Sequence, residues 1–425
     1  YNIIMSSLLP RRVVITGLGL VSPLGANIND TFSSLLQKKS GLRKVTPKDL
    51  EFSDQLSVKT VGYLDSWDKE GWIKKVAVIK SVYHALAVNC ASDALEDSAW
   101  DPKTEQEITR TGVMFGSPRT SSPDISLTHR EVVKHGYARL DRLILAKLIP
   151  SMIVGSISIP RHICGFANSF CSGNCTGANA VGDTYRTIGV SDADVVIAGA
   201  SEHDHDSVVI DALTKGSYGY NLRADENPST SVKPFDTNRN GWVYSIGGGA
   251  LILEDLEHAL NRGAKIYAEL AGYSMLSEAG TQTAREGNGV FRSMKRAIEQ
   301  SGLNKDQIDA VFADASGNFE WDEGEAAAIL RLFGERGPAV TSTKGGIGHM
   351  QGASSSADLA IAALALQRGV IPPITNLESP LSVEGKRPDF VTAPREKKIK
   401  AIVANSINYD GTGFCSIVLK AFEGR

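Results

Sequence analysis

The chain has 425 residues, of which 42% are hydrophobic and 22% charged, and its formal net charge is −3. This composition is typical of a globular protein with room for more than one domain, and it gives no reason to expect nucleic acid or an anionic membrane as the main partner. No run of 18 or more apolar residues is present, which argues against a membrane span. Residues 1–7 are too short for a secretory signal peptide, so the cytosol is the expected compartment.

The cysteine content excludes two further classes of protein. Five cysteines are an odd and small number for this length, so a disulfide framework is not expected. Cys164, Cys171 and Cys175 lie close together, but no Cys-x-x-Cys pair occurs, and no metal is expected.

The first predicted element is a strand followed by a loop in residues 11–25, where a β-branched run ends in glycines. Gly17 and Gly19 could suggest a phosphate-binding loop, but the third glycine and the acidic residue of a dinucleotide site are missing. A plain strand-to-loop turn is the favoured interpretation, and no cofactor is expected.

The rest of the chain alternates between strands and helices. Buried strands are predicted at residues 111–116, 193–202, 247–253, 308–314 and 401–405. Helical spacing is found at residues 73–95, 285–300, 323–333 and 354–367. This alternation indicates an α/β fold with sheets covered on both faces. Because the pattern runs twice, we expect two similar halves, residues 11–262 and 263–425, within one compact body.

The most informative stretch is residues 171–182, Cys-Ser-Gly-Asn-Cys-Thr-Gly-Ala-Asn-Ala-Val-Gly. A sharp loop before a helix exposes one side chain at the helix N-terminus and points free N–H groups at it. A cysteine in that position would have a lowered pKa and would be a good nucleophile.

This stretch resembles the active-site loop of β-ketoacyl synthases. Other segments resemble further motifs of that family: Pro-Phe-Asp with the Arg and Gly that follow at 233–243, the strand at 247–255, Ser-Thr-Lys with Gly-His at 341–353, and Ile-Pro-Pro with Asn-Leu-Glu at 371–378. The resemblance runs from about Arg11 to Lys420.

The resemblance implies the thiolase fold, in which two similar halves form a five-layered α/β/α/β/α body, usually as a dimer. Members of the family join an acyl thioester to a malonyl unit carried on acyl carrier protein. A cysteine holds the acyl chain, and two histidines assist decarboxylation and stabilise the developing enolate oxygen.

The nucleophile position of the family falls on Asn174, which cannot form a thioester. Its amide would either occupy the donor pocket in the manner of an acylated cysteine or cap the following helix, and the sequence leaves both interpretations open. Cys175 is a rival nucleophile if the loop slips by one residue, and Cys171 is a weaker one. Because a helix turns roughly 100° per residue, Cys175 is expected to point elsewhere.

The histidine positions of the family are only half retained. The first corresponds to Asp314, whose ionised carboxylate would repel an enolate or a malonyl carboxylate, although Asp322 and Glu325 nearby still fit the family. The second histidine and the family's lysine match His349 and Lys344. These two residues are either leftover architecture or keep a role in binding or decarboxylation.

The glycine-rich loop of the family corresponds to residues 408–413. Tyr409 falls at the aromatic gate position and, with Asn174, Gly411 and Thr412, is expected to contact substrate. Other positions of the loop depart from the family pattern, which counts against an oxyanion-site function.

Residues 202–206, Glu-His-Asp-His-Asp, suggest a metal site at first sight. In a loop at the end of a strand these side chains would point to alternate sides and leave few ligands on either face. A solvated or interface loop is therefore favoured over a metal site.

The chain-length factors of type II polyketide synthases combine these features. They lack the cysteine of their ketosynthase partner, and their stretch at the first histidine commonly begins Ala-Asp, as Ala313 and Asp314 do here. The chain resembles such a factor, or the equivalent subunit of an aryl-polyene pathway. The resemblance implies a heterodimer whose catalytic ketosynthase supplies Cys-His-His and receives substrate from acyl carrier protein.

In that heterodimer, residues 117–156 are the expected interface and the wall of the tunnel that limits product length. The prolines of this region, at positions 118, 123 and 150, suit an irregular cap more than a plain helix. Two alternatives stay open. One is a residual enzyme, either a malonyl decarboxylase that uses His349 or an acyltransferase that uses Cys175. The other is a structural paralogue that binds no acyl chain.

Overall fold

The computed structural model describes residues 11–76, 79–216, 219–279 and 284–424, so the opening segment 1–7 lies outside it. Its strands are β1 (Val13–Val21), β2 (Leu42–Lys44), β3 (Thr60–Gly62), β4 (Thr111–Gly116), β5 (Ala167–Phe170), β6 (Val195–Glu202), β7 (Gly247–Asp255), β8 (Ala268–Leu276), β9 (Ala310–Phe312), β10 (Ala339–Thr341), β11 (Val370–Ile371), β12 (Asp389–Phe390), β13 (Arg395–Glu396), β14 (Ala401–Ile407) and β15 (Phe414–Lys420). Its α-helices are α1 (Ile28–Leu36), α2 (Lys69–Lys75), α3 (Val82–Ser98), α4 (Glu105–Arg110), α5 (Ser122–His135), α6 (Ile144–Leu148), α7 (Met152–Ser158), α8 (Thr176–Gly189), α9 (Ser207–Lys215), α10 (Leu256–Asn261), α11 (Asn288–Ser301), α12 (Phe319–Phe333), α13 (Lys344–Ile347) and α14 (Gly352–Arg368). Within these ranges, no helix combines the length and the apolar character needed to cross a membrane.

A large sheet of 11 strands runs through the described chain in the order β12-β10-β9-β14-β15-β8-β1-β7-β6-β4-β5. The sets β1-β7-β6-β4-β5 and β8-β15-β14-β9-β10 have the same order along the chain and the same directions, two antiparallel pairings followed by two parallel ones. The sets meet where β1 pairs with β8. This repetition confirms two similar halves in an α/β fold, while the boundary between residues 262 and 263 stays a prediction.

Helices cover the outer faces of the sheet and also separate its two halves. Helix α3 packs on β1 and β7, and α11 packs on β8 and β15. Between the halves, α8 and α14 pack on each other and contact strands of both sets. Their small side chains allow this close approach, because a Cβ atom at Gly177 would lie only 2.8 Å from Ser356. The result is the predicted α/β/α/β/α layering.

Most of the predicted elements are confirmed. The predicted strands correspond to β4, β6, β7, β9 and β14, and three of the four predicted helices correspond to α11, α12 and α14. Every residue of these five strands is buried, so they appear in the sequence as continuous apolar runs without alternation.

The single helix predicted at residues 73–95 is wrong, because two helices occupy this stretch. Helix α2 ends at Lys75, and the backbone of Val76 has already left the helical region at φ −79° and ψ 88°. Helix α3 begins after Ser81, which is extended. Helix α3 is buried and its direction is set by packing on the sheet, whereas α2 lies at the surface. These different tertiary contacts override the continuous helical pattern of the sequence.

The irregular cap predicted at residues 117–156 is only partly right. The region contains α5, α6 and the first part of α7. Pro123 lies in the first turn of α5, where a missing N–H group breaks no helical hydrogen bond. Pro118 and Pro150 lie outside the helices, as predicted for residues that interrupt them.

Candidate active site

The loop between β5 and α8 brings Asn174 to a cavity of about 460 Å³, which His349 and Tyr409 also line. The turn requires glycine at position 173, because φ is 59° there and a Cβ atom would lie 2.7 Å from Asn408 Oδ1. Three of the predicted site residues, from three separate segments of the chain, are thus brought together.

The Asn174 side chain is held by the backbone of the opposite half. Its Nδ2 donates a hydrogen bond to the Ile407 carbonyl at 2.9 Å, and Ser406 Oγ donates to the Asn174 carbonyl at 3.0 Å. The N-cap of α8 is Cys175, and no side chain caps it. The interpretation of Asn174 as a helix cap is therefore wrong, since its amide ties the loop to the end of β14.

Neither nearby cysteine is placed as a nucleophile. Cys175 is fully buried, its Sγ donates to the Ser406 carbonyl at 3.4 Å, and burial raises the pKa of the thiol to about 12. Such a thiol is protonated at neutral pH and hidden from substrate. Cys171 is exposed, its Sγ donates to the Pro118 carbonyl at 3.2 Å, and it is not among the described residues that line the cavity. This geometry opposes an acyltransferase based on Cys175.

Two carboxylates of α12 fix the loop that follows β9. Glu325 accepts hydrogen bonds from the N–H groups of Asp314 at 3.1 Å and Ala315 at 2.9 Å. Asp322 accepts hydrogen bonds from the N–H groups of Ser316 at 3.1 Å and Gly317 at 3.0 Å. The match of Glu325 and Asp322 to the family pattern thus has a physical reason, because they hold the backbone around Asp314.

Asp314 belongs to a buried charge cluster with Lys344 and Asp358. Lys344 Nζ lies 2.5 Å from Asp358 Oδ2 and 4.0 Å from Asp314 Oδ1. Burial alone would lower the pKa of Lys344, but Asp358 and Asp314 outweigh it and raise that pKa. Lys344 therefore remains charged inside the protein and is neutralised mainly by Asp358.

Burial raises the pKa of Asp314 to about 7, although Lys344 acts in the opposite direction. Near neutral pH this carboxyl is therefore divided between its charged and neutral forms. The repulsion of an enolate expected from the sequence applies only to the charged form, whereas a neutral carboxyl can donate a hydrogen bond. Asp314 Oδ2 has no hydrogen-bond partner in the described chain.

His349 presents a ring nitrogen to the same cavity. Its Nδ1 accepts from the Gln351 N–H at 3.0 Å, which leaves Nε2 as the protonated nitrogen of a neutral ring. Burial lowers the pKa of His349 well below its usual value, so the ring is neutral. No group in the described ranges bonds with Nε2, which can therefore donate to a ligand.

The predicted gate residue is fixed to the loop that carries Asp314. The hydroxyl groups of Tyr409 and Ser316 share a hydrogen bond of 2.6 Å. The other predicted substrate contacts, Gly411 and Thr412, do not line the cavity. Thr412 is exposed, and its Oγ1 donates to Asp410 Oδ1 at 2.6 Å.

Sequence reasoning missed an ion pair in the cavity wall. Arg119 lines the cavity, its Nε lies 3.4 Å from Asp204 Oδ2, and its Nη2 donates to Gln351 Oε1. Asp204 is buried and Arg119 is partly exposed, so an apolar chain beside this pair would remove water from the guanidinium and is disfavoured. The signal available in the sequence was one arginine in a loop of small residues after β4.

Two further structural side chains were also missed. Asp358 is the only acidic residue of α14, a helix of small and apolar residues, and a buried carboxylate in such a helix requires a partner. Asn408 accepts from the Cys175 N–H at 3.3 Å and donates to the Ser172 carbonyl at 3.2 Å, so it ties the loop at 408–413 to the Asn174 loop.

Of the two alternatives predicted for residues 202–206, the solvated loop is wrong, because four of the five residues are less than a tenth exposed. The interface loop stays a prediction. The predicted alternation of side chains is observed. Glu202 accepts from the Tyr244 hydroxyl at 3.2 Å and Asp204 belongs to the ion pair described above, whereas His203 and His205 line a second cavity. The described residues contain no group of three His, Cys, Asp or Glu side chains that could hold a metal ion.

The first cavity can bind a carbonyl group but offers no nucleophile. The Nε2–H of His349 is a hydrogen-bond donor, and the Asn174 amide is unreactive toward a thioester. Asp314 is not among the described residues that line the cavity. The described residues that line the cavity include no cysteine. Binding and proton donation are therefore within its chemistry, and covalent acyl transfer is not.

Comparisons with known proteins agree with this architecture. Residues 10–259 match the family model described as "Beta-ketoacyl synthase, N-terminal domain", and residues 267–378 match "Beta-ketoacyl synthase, C-terminal domain". The chain is 34% identical to a mitochondrial 3-oxoacyl-(acyl-carrier-protein) synthase of Arabidopsis thaliana over 95% of this chain and 92% of that protein. It is 33% identical to a putative mitochondrial 3-oxoacyl-(acyl-carrier-protein) synthase of Schizosaccharomyces pombe over 97% and 99% of the two chains.

Among solved structures, the chain is similar to "The ishigamide ketosynthase/chain length factor". The TM-score is 0.85 at 25% identity, and the match covers 97% of this chain and all of that one.

Proposed function

Because the chain belongs to the β-ketoacyl synthase family, we propose that it is a non-condensing member that serves as the partner subunit of a catalytic ketosynthase. The observation that carries the proposal is Asn174 at the nucleophile position, with its amide hydrogen-bonded to Ile407. The buried thiol of Cys175 cannot replace the missing nucleophile. The Arg119–Asp204 ion pair in the cavity wall is also a poor neighbour for an acyl chain.

An exposed strand edge and an apolar surface support a partner. Strand β5 pairs with β4 on one side, and within the described chain its other side has no neighbouring strand. Among the described residues, ten of the 15 large exposed apolar side chains lie between residues 125 and 166, in the cap and beside this edge. A single-chain protein rarely leaves so much apolar surface next to an open strand, so this face is the proposed interface.

We place the chain's contribution to the product tunnel in a small apolar cavity of this cap. The cavity has a volume of about 250 Å³ and is lined by Leu143, Ala146, Met152 and Ile159 among others. Support for a chain-length role comes from the similarity to a ketosynthase/chain length factor structure. The curated relatives described above are named 3-oxoacyl-(acyl-carrier-protein) synthases, so a polyketide or aryl-polyene pathway rests on the altered site alone. The proposed partners are the ketosynthase and acyl carrier protein.

The subunit role is tested by intact-protein mass spectrometry after incubation with acyl-loaded carrier protein. The chain is assayed alone and after co-expression with a catalytic ketosynthase of the same source. We expect the ketosynthase alone to gain the acyl mass and the two chains to copurify. Acylation of this chain that Cys175→Ala removes would overturn the proposal.

The tunnel role needs a separate test in the co-expressed complex. Ala146→Leu should shorten the product and Leu143→Ala should lengthen it, because the two changes reduce and enlarge the same cavity. Exposed Lys398→Gln, far along the chain from the cap, is the matched control. Unchanged product length in both cavity variants, with normal turnover, would disprove the tunnel assignment but leave the subunit role in place.

A second candidate function is slow decarboxylation of malonyl carrier protein. It is favoured by the unpartnered Nε2 of His349 and by the neutral fraction of Asp314. Release of carbon dioxide by the isolated chain, lost in His349→Ala, would support it. Equal release by both proteins would exclude it.

A further inference from the structure

A second cavity lies beyond the end of β6, on the side opposite the first. It has a volume of about 450 Å³ and is bounded by α2, by α5 and by the segment after β6. His203 and His205 line it, while Glu202 and Asp204 between them turn to the other side. The alternation of the strand backbone therefore gives this cavity both histidines and neither carboxylate.

The two histidines have polar atoms that nothing satisfies. His205 is 6% exposed, and neither of its ring nitrogens has a hydrogen-bond partner in the described chain. His203 Nδ1 also has none. Burial lowers the pKa of His205 to about 4 and that of His203 well below its usual value, so both rings are neutral and each offers an N–H donor. Buried polar atoms of this kind are costly unless a ligand or water satisfies them.

Besides the histidines, two aromatic side chains of the described chain line the cavity, Tyr63 and Trp67. The Tyr63 ring lies 5.3 Å from the His205 ring, and Trp67 is 8% exposed. The Trp67 Nε1–H already donates to Asn89 Oδ1 at 2.7 Å, so it is satisfied by the protein and needs no partner in the cavity. Such surroundings favour a flat, apolar ligand, because aromatic pairs add specific edge and stacking contacts to the burial of area.

Two lysine side chains without a carboxylate partner in the described chain line the cavity. Lys69 and Lys80 are exposed, and in the described ranges neither forms an ion pair. Both carboxylates among the described lining residues are paired, and each of their cations also pairs with a second carboxylate, Asp65 for Arg43 and Asp141 for Lys147. Asp49 lies 2.9 Å from Arg43, and the carboxylate of Asp124 lies 3.2 Å from Lys147 Nζ. Two ammonium groups are therefore left to attract an anion.

We propose that this cavity binds an aromatic carboxylate. The rings of Tyr63 and Trp67 would contact its aromatic body, and His203 and His205 would donate hydrogen bonds to its carboxylate. Lys69 and Lys80 would neutralise the charge at the mouth. The volume falls within the roughly 300–1,000 Å³ of small-molecule sites. This site is separate from the Asn174 cavity and does not depend on the proposed subunit function.

The test is isothermal titration calorimetry of the full chain with 2-naphthoate as the probe. Two other compounds separate the contributions: neutral 2-naphthylmethanol lacks the charge, and octanoate lacks the rings. We expect 2-naphthoate to bind at least about tenfold more tightly than either, a difference within reach of one charge-assisted contact or one aromatic pair. Equal or tighter binding of either comparison compound, or no binding of 2-naphthoate, would overturn the proposal.

Two variants assign the binding to this cavity. The surface double variant Lys69→Gln with Lys80→Gln should weaken 2-naphthoate binding by about fivefold, whereas exposed Lys398→Gln should leave it unchanged. His205→Leu should weaken binding by about tenfold yet unfold at the same or a higher temperature, because it removes unpaired buried nitrogens. If 2-naphthoate binds all variants as it binds the natural protein, the probe lies elsewhere and the proposal fails.

Discussion

The two halves of the sheet contribute to one cavity in different ways. The N-terminal half supplies Asn174, whose amide is satisfied by the Ile407 carbonyl. The C-terminal half supplies His349, whose buried Nε2 has no partner in the described chain. That half also holds Asp314 and the buried ammonium of Lys344, which are not among the described residues that line the cavity. The Asn174 side chain is thus held by a hydrogen bond within the protein, whereas the buried charge of Lys344 is neutralised mainly by Asp358.

The largest effect is expected from restoring both altered positions. Asn174→Cys combined with Asp314→His should turn a chain that gains no acyl mass into one that is acylated by acyl carrier protein. Malonyl decarboxylation should be at least about 100-fold faster than with Asn174→Cys alone, because only the double variant regains the proton-handling histidine. Mass spectrometry and carbon dioxide release measure the two steps. A folded double variant that remains unacylated would show that the N-terminal half has lost more than its thiol.

A large loss of stability is expected when the buried charge cluster of Lys344, Asp358 and Asp314 loses its cation. Lys344→Met leaves Asp358 buried without its cation and should lower the free energy of unfolding by about 3–5 kcal/mol. Adding Asp358→Leu should recover most of that loss, because no charge is then left unpaired. Urea unfolding of the three proteins measures both changes. Natural stability in the single variant would refute a structural role for the cluster.

The pH dependence of stability isolates Asp314. Its pKa is raised from 3.8 to about 7, so the folded protein binds the proton more tightly than the unfolded chain does. The stability contributed by this group is therefore complete below about pH 4 and is lost as the pH rises through 7. Relative to Asp314→Asn, the natural protein should lose about 3 kcal/mol between pH 4 and pH 7.

The free energy of unfolding of the natural protein and of Asp314→Asn is measured by chemical unfolding at several pH values. The difference between the two proteins removes the contribution of Glu202, whose raised pKa does not depend on Asp314. It includes a coupled change at Glu325, because the Asp314 charge also raises the pKa of that carboxyl. Parallel stability curves across this pH range would show that the Asp314 carboxyl is not held in its neutral form.

The smallest change in stability is expected when the hydrogen bond between Tyr409 and Ser316 is removed. Tyr409→Phe removes the 2.6 Å hydrogen bond to Ser316 and should cost about 1 kcal/mol of stability. Ser316→Ala should cost a similar amount, and the double variant should cost little more than either single change. Additive losses would mean that the two hydroxyl groups act separately.

The sequence predicted much of this arrangement. The segments around Asn174, Asp314, Lys344 and His349 were identified by their spacing and their resemblance to one family, and the structure brings Asn174 and His349 to one cavity. The sequence could not predict that the Asn174 amide would donate to the Ile407 carbonyl, because that hydrogen bond joins residues 233 positions apart. The ion pair of Lys344 with Asp358 was not predicted for a related reason. The residues next to a carboxylate in the sequence do not show whether it will be paired in the fold.

Apolar runs, small-residue helices and glycine turns were sufficient to determine the α/β fold, because they depend on burial and backbone geometry that act within a few residues. The identity of the residues at the predicted nucleophile and histidine positions likewise led to the prediction that condensation by this chain alone is disfavoured. Only the tertiary structure decided the charge state of Asp314 and the burial of four of the five residues at 202–206. Those properties depend on which groups are removed from water together, and that is decided when distant segments pack.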